Sequence, residues 1–156
     1  MNSIYTFPSP FLEATILSRT SQFIINVNIN GDAVRCHCPT TGRIGNIDLA
    51  GRPCLLSKSD NPARKTMYTV EAISLDREET KEKTWIGINQ IAINRYVSYF
   101  LENNSFSKMI DSTGTILREQ CLGNSKLDFF VNNTYMEVKT PLQTLQIDIP
   151  EYVKTK

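Results

Sequence analysis

Lys126-Leu127-Asp128-Phe129-Phe130-Val131-Asn132-Asn133-Thr134-Tyr135-Met136-Glu137-Val138-Lys139 decides how the second half of this chain folds. Two runs rich in aromatic and β-branched residues flank an Asn-Asn pair. Asparagine tolerates the left-handed backbone that a two-residue hairpin turn demands. With Asn132 and Asn133 as the turn, Val131 faces Thr134, Phe129 faces Met136, Asp128 faces Glu137, Leu127 faces Val138 and Lys126 faces Lys139. Side chains alternate between the faces of a strand, so Leu127, Phe129, Met136 and Val138 form an apolar face. Two carboxylates and two lysines share the other. Directly opposed carboxylates, with Cβ atoms about 5 Å apart, destabilise a hairpin unless something neutralises them. A hard divalent cation such as Mg2+ or Mn2+, held by Asp128 and Glu137 and completed by water and phosphate oxygens, would do so. Lys139, on the same face, could then orient a water or stabilise charge on a phosphoryl oxygen. The alternative is an exposed hairpin in which Asp128 pairs diagonally with Lys126 or Lys139, at about 0–1 kcal/mol per pair. The residues alone leave both readings open.

Upstream, Ile93, Tyr96, Val97, Phe100 and Leu101 recur at helical spacing and predict an amphipathic helix, with Asn94 at its start and Asn103 or Asn104 at its end. Further upstream the period changes to two. Phe23–Ile29, Val34–Cys38, Ile44–Leu49, Cys54–Ser57, Tyr68–Leu75 and Trp85–Ile88 read as short strands, and Asn30-Gly31-Asp32 supplies a turn. Short strands with polar turns are most economically closed as a five-stranded barrel of the oligonucleotide-binding (OB) type. The mixed-charge segment Asp76–Thr84 reads as a solvated loop. Domains are expected at 1–88 and 89–156, with the change of pattern near Gly87–Gln90.

The chain has 156 residues, 40% hydrophobic and 21% charged, which is the composition of a globular protein with a real core. It contains no run long and apolar enough to cross a bilayer, and MNSIYTFPSP lacks the basic and apolar regions of a secretory signal, so a cytoplasmic location is expected. Cys36, Cys38, Cys54 and Cys121 are then expected as thiols. Cys36-His37-Cys38 is too closely spaced for the usual structural zinc site and reads as strand alternation. A net charge of +1 supplies no global field, so nucleic-acid binding must rest on a local patch. Lys58, Arg64 and Lys65 flank Asn61-Pro62 in a predicted loop between barrel strands, with Arg43 as a further phosphate candidate. Tyr68 and Trp85 are candidates for base stacking and equally for the core.

Several blocks carry a family resemblance. Pro39-Thr40-Thr41-Gly42-Arg43, Ser59-Asp60-Asn61-Pro62-Ala63-Arg64-Lys65-Thr66-Met67-Tyr68, Trp85-Ile86-Gly87, Asn94-Arg95, Asn124-Ser125-Lys126-Leu127-Asp128-Phe129 and Met136-Glu137-Val138-Lys139-Thr140 occur in this order. They resemble the PNTGRM, SDNPKRKTRY, WVG, NR, GDSRFDF and VEVKS blocks of the sugar fermentation stimulation protein family. The resemblance implies an α+β chain: an N-terminal OB-type β-barrel followed by a C-terminal module similar to the PD-(D/E)xK nucleases. It also implies sequence-nonspecific DNA binding and a regulatory link to sugar metabolism. Asp128, Glu137 and Lys139 match the nuclease motif and are the expected catalytic residues, with Asp128 and Glu137 holding the metal. Arg43, Lys58, Asn61, Arg64, Lys65 and Lys126 are the expected nucleic-acid contacts, with DNA or RNA as partner and no membrane. Thr40, Ile44 and Lys126 depart from the family's asparagine, methionine and arginine; lysine lacks the bidentate phosphate geometry of arginine. The larger departure is at the C-terminus. The chain supplies the αβββ portion of an αβββαβ core, and only Gln143–Ile149 reads as one further strand. A fragment, or an oligomer in which another subunit covers the sheet, is therefore expected. Metal-dependent phosphodiester hydrolysis is one expectation; a binding module or regulator without catalysis is the other.

Overall fold

The computed structural model describes residues 4–7, 10–42, 44 and 47–140. Its first sheet contains β1 (Leu12–Ser21), β2 (Ile24–Ile29), β3 (Asp32–His37), β4 (Pro53–Lys58), β5 (Tyr68–Ser74) and β6 (Trp85–Gly87), in the order β3-β2-β1-β4-β5-β6. An additional parallel pairing of β3 with β5, at Cys36↔Tyr68 and His37↔Thr69, closes five strands into a barrel and leaves β6 as an extra strand on β5. This is the expected OB-type architecture.

Alternation explains much of the core, while on β5, where the pairing with β4 carries an irregularity, Val70 and Ile73 are three residues apart and both inside. Ile25 and Val27 on β2, Cys36 on β3, Leu56 on β4, and Val70 and Ile73 on β5 are fully buried. Asn30 and Gly31, both at positive φ, make the predicted β2–β3 turn and set Ile29 opposite Asp32. The expected strand at Ile44–Leu49 is a correction. Among its described residues none is in a strand, although Ile44 is buried and Leu49 packs against the barrel core. These two apolar side chains serve the core without extending a ladder. The strand that the sequence hides is β1. Register shifts between Ile16 and Ser18 and between Arg19 and Ser21 break its alternation: Ala14 and Ile16 are buried in turn, but Leu17 and Ser18 are then both exposed. Arg19 uses this kink to donate to the carbonyls of Gln22, Thr40 and Gly42, tying the loop after β3 to the β1–β2 turn.

Asp76–Thr84 is a loop, pinned rather than loose. Asp76 Oδ2 accepts from the Thr84 backbone at 2.6 Å, and the well-covered Lys83 ammonium pairs with Glu13 at 2.8 Å.

After the barrel come α1 (Gln90–Glu102) and an antiparallel sheet of β7 (Ile116–Leu122), β8 (Ser125–Val131) and β9 (Thr134–Met136). The helix is capped by Asn89, whose side chain accepts from Ile91 N and Ala92 N, so Asn94, the expected cap, lies inside the helix. The helix ends as expected at Asn103, with Asn104 at φ 50. Leu101 packs on Phe129 and Val131 to form a second core cluster, joined by Val97, Phe106, Ile116, Met136 and Val138. Near the N-terminus, the Tyr5 ring lies 5.4 Å from those of Tyr96 and Tyr99, and Tyr99 donates to the Ile4 carbonyl. No helix among the described residues is long and apolar enough to cross a membrane. Gln143–Ile149 lies outside the described residues.

Candidate metal centre and nucleic-acid interface

Asn132 (φ 47) and Asn133 (φ 64) are both left-handed, as a type I′ two-residue turn requires. The register begins as the sequence predicts, with Val131↔Thr134, Phe130↔Tyr135 and Phe129↔Met136. There the ladder stops. The expected pairs Asp128–Glu137, Leu127–Val138 and Lys126–Lys139 are not ladder partners, because the chain leaves β8 after Met136. The half-buried Asp128 carboxylate takes over the role of the missing ladder. Its Oδ2 accepts from the Val138 backbone N–H at 2.8 Å and its Oδ1 from Asn94 Nδ2 at 2.7 Å. Gln90, one turn before Asn94, donates from Nε2 to the Val138 carbonyl at 2.9 Å and to Asn94 Oδ1 at 3.2 Å. Thr140 Oγ1 donates to Gln90 Oε1.

Glu137 is exposed and accepts from the Lys139 ammonium. That hydrogen bond, and then the Glu137 charge, raises the Lys139 pKa, with Asp128 adding to it. Lys126 does not pair with Asp128. It reaches Glu119 at 2.6 Å, and the two exposed groups shift each other: Lys126 is raised, and Glu119 is lowered by the hydrogen bond and then by the charge of Lys126. Glu119 sits at φ 54 in β7, between the paired residues Arg118↔Phe129 and Gln120↔Leu127, at the ladder step facing Asp128.

An ionised carboxylate offers about four lone-pair sites, so Asp128 keeps acceptor capacity beyond its two protein donors. Asp128 and Glu137 are hard oxygen donors, and one or two such groups with waters and phosphate oxygens are what a magnesium-like ion takes. The residues therefore fit that ion by donor chemistry. No group of three or more His, Cys, Asp or Glu side chains placed to hold an ion is present among the described residues. Cys36 and Cys38 are both buried free thiols, consistent with strand alternation.

The basic residues divide. Lys58, at the end of β4, and Asn61, Arg64 and Lys65 in the following loop are all exposed and sit together. Asn61 builds the loop, its Oδ1 accepting from Ala63 N at 3.0 Å and its carbonyl from Arg64 N. Arg64 leans back to Thr69 Oγ1 at 3.2 Å. Lys126 lies apart, on the second sheet, and Arg43 lies outside the described residues. Tyr68 packs against the barrel core and Trp85 is half-buried on β6, whereas Phe23, expected as a strand residue, lies just before β2 as an exposed aromatic beside His37. The other roles missed by sequence reasoning belong to amides. Asn89 caps α1 and donates through Nδ2 to Glu71 Oε2 at 2.7 Å, while Ser57 Oγ donates to Glu71 Oε1, so the helix start is tied to the barrel wall. The signal for Gln90 and Asn94 was their i, i+4 spacing in an otherwise apolar stretch.

The sequence profile of the SfsA N-terminal OB domain matches residues 17–88. A sugar fermentation stimulation protein homolog of Synechocystis sp. is 33% identical over 148 residues, covering 89% of this chain and 60% of that protein. The homolog of Synechococcus elongatus is 35% identical over 146 residues, covering 90% and 60%. The chain thus spans about 60% of the length of these curated relatives. Among solved structures, Pyrococcus furiosus SfsA in complex with Ca2+ superposes with a TM-score of 0.66 at 19% identity, over 84% of this chain and 55% of that one. At that identity the likeness speaks for the fold.

Proposed function

The chain belongs to the sugar fermentation stimulation protein family, and from that premise we propose that it is a sequence-nonspecific DNA-binding protein with a nuclease-like site for Mg2+ or Mn2+ at Asp128 and Glu137. The observation that carries the metal site is Asp128. Its carboxylate is held by two donors, Asn94 Nδ2 and the backbone N–H of Val138, the residue between Glu137 and Lys139. A divalent ion there would polarise a phosphoryl oxygen and lower the pKa of a bound water. The protein's share is to hold the two carboxylates, while the Lys139 ammonium keeps a positive charge beside them. The calcium in the related archaeal structure belongs to that protein, and supports a preference for hard oxygen-seeking cations here.

DNA contact is assigned to Lys58, the exposed last residue of β4, and to Arg64 and Lys65 in the exposed loop that follows it. Phosphate contacts release counterions, so affinity should fall steeply with salt and depend little on base sequence. In an anisotropy titration with a labelled oligonucleotide, Arg64→Ala with Lys65→Ala should weaken binding and flatten the salt dependence. Unchanged affinity would remove this loop as the binding surface. A second reading, a DNA-binding regulator without catalysis, draws on the same Asp128, since both of its oxygens are already engaged by protein donors. Manganese-dependent nicking of plasmid DNA, lost in Lys139→Ala, separates the two.

A further inference from the structure

We infer that Asn94 is a positioning residue for the metal-binding carboxylate, and that α1 holds both strands of the split hairpin through an amide pair, Asn94 on Asp128 and Gln90 on Val138. The inference rests on the metal reading above and adds the part of the molecule that sets the ligand's orientation.

Once β9 separates from β8 after Met136, no ladder hydrogen bond holds residues 137–140 at a fixed place relative to Asp128. Two side chains from the first turns of α1 replace it. Asn94 Nδ2 reaches Asp128 Oδ1 at 2.7 Å, and Gln90 Nε2 reaches the Val138 carbonyl at 2.9 Å. The orientation of the Asn94 amide is set by the network. Its oxygen accepts from Gln90, so its N–H group is the one presented to Asp128. Asp128 in turn accepts the Val138 N–H, which closes a ring through helix, β8 and the segment carrying Glu137. The helix start is fixed as well, because the cap Asn89 is bound to Glu71 on β5. A carboxylate ligand whose hydrogen-bond partners are removed loses orientation, and such partners typically control metal affinity by about 10–100-fold.

The test uses the full chain and manganese alone, by calorimetric titration, with native-state amide exchange of Val138 measured in metal-free protein. Asn94→Leu keeps the forked shape at Cγ and removes the donor. It should weaken manganese binding by about tenfold or more and speed exchange at Val138. Asn103→Ala removes a hydrogen bond to the Tyr99 carbonyl at the far end of the same helix. It should lower the melting temperature while leaving both readouts unchanged. Should Asn94→Leu not fold, Asn94→Ser, which retains a short donor, should bind manganese with intermediate affinity. Equal affinity of wild type and the Asn94 variants overturns the positioning role while leaving the metal site standing. Equal weakening by Asn103→Ala overturns it too, by reducing the effect to helix stability. A wild-type chain that binds no manganese removes the site itself.

Discussion

Burial pushes the Cys36 thiol up to about 11 and the Cys54 thiol up to about 12, the latter with added repulsion from Cys36 and Glu13. A thiol reacts as its thiolate, so these two, with the fully buried Cys38, should be inert to a water-soluble disulfide reagent, whereas the exposed Cys121 should react. Native protein should titrate as one thiol per chain, and protein in denaturant as all of them. More than one fast-reacting thiol in native protein would contradict the barrel packing. His37 offers a second residue-level test. Burial first, and then the Arg64 guanidinium, hold it below its ordinary 6.5, with the Phe23 backbone and the Glu71 carboxylate opposing. Because the folded value is the lower one, the unfolded chain takes up the proton first as pH falls. Stability is therefore lost from about pH 6.5 down to the folded value, and levels off below it. His37→Gln should flatten the fall in melting temperature across that window. An unchanged slope would place the acid sensitivity elsewhere.

The hairpin turn is the element most directly tested by substitution. Asn132 and Asn133 both occupy the left-handed region, where a β-branched side chain costs roughly 1–2 kcal/mol. Asn132→Val should lower the urea midpoint accordingly, while Asn133→Gly should hold or raise it. This turn and its first three pairs were legible in the sequence because the information is local: two asparagines between runs of strand-forming residues. The end of β9 was not, because it depends on Asn94, a helix residue distant in the chain, reaching Asp128. The helix itself was legible from its apolar stripe, but its cap was misplaced. Asn89 and Asn94 are chemically equivalent caps, and the choice is made by Glu71 on the barrel, which binds Asn89. β1 was lost for a different reason. Its register shift leaves Leu17 and Ser18 both outside after Ala14 and Ile16 inside, and a period of two cannot be read across a bulge.

For the molecule as a whole, an ion that binds the folded chain and not the unfolded one raises stability with occupancy. Manganese should therefore raise the melting temperature, and Asp128→Asn should abolish the shift. A calorimetric titration with no heat and no melting shift would remove the metal site. The sequence alone made Asp128 and Glu137 a repelling pair, which would leave Asp128→Asn neutral or stabilising without metal. The structure reverses that expectation. Asp128 accepts from two donors, and an asparagine would turn an NH2 group toward one of them, costing about 1–3 kcal/mol. The barrel, too, has an order of assembly. Its closing seam is two residue pairs, Cys36↔Tyr68 and His37↔Thr69, whereas the other barrel seams are longer antiparallel pairings. Joining β3 to β5 closes a long stretch of chain for only these two pairs, so loop-closure entropy places this step late on the folding route. The same seam is then the first to breathe. Opening it would leave β3-β2-β1-β4-β5 as a twisted open sheet with every other pairing intact, a low-lying excursion that strand by strand amide exchange would register before global unfolding.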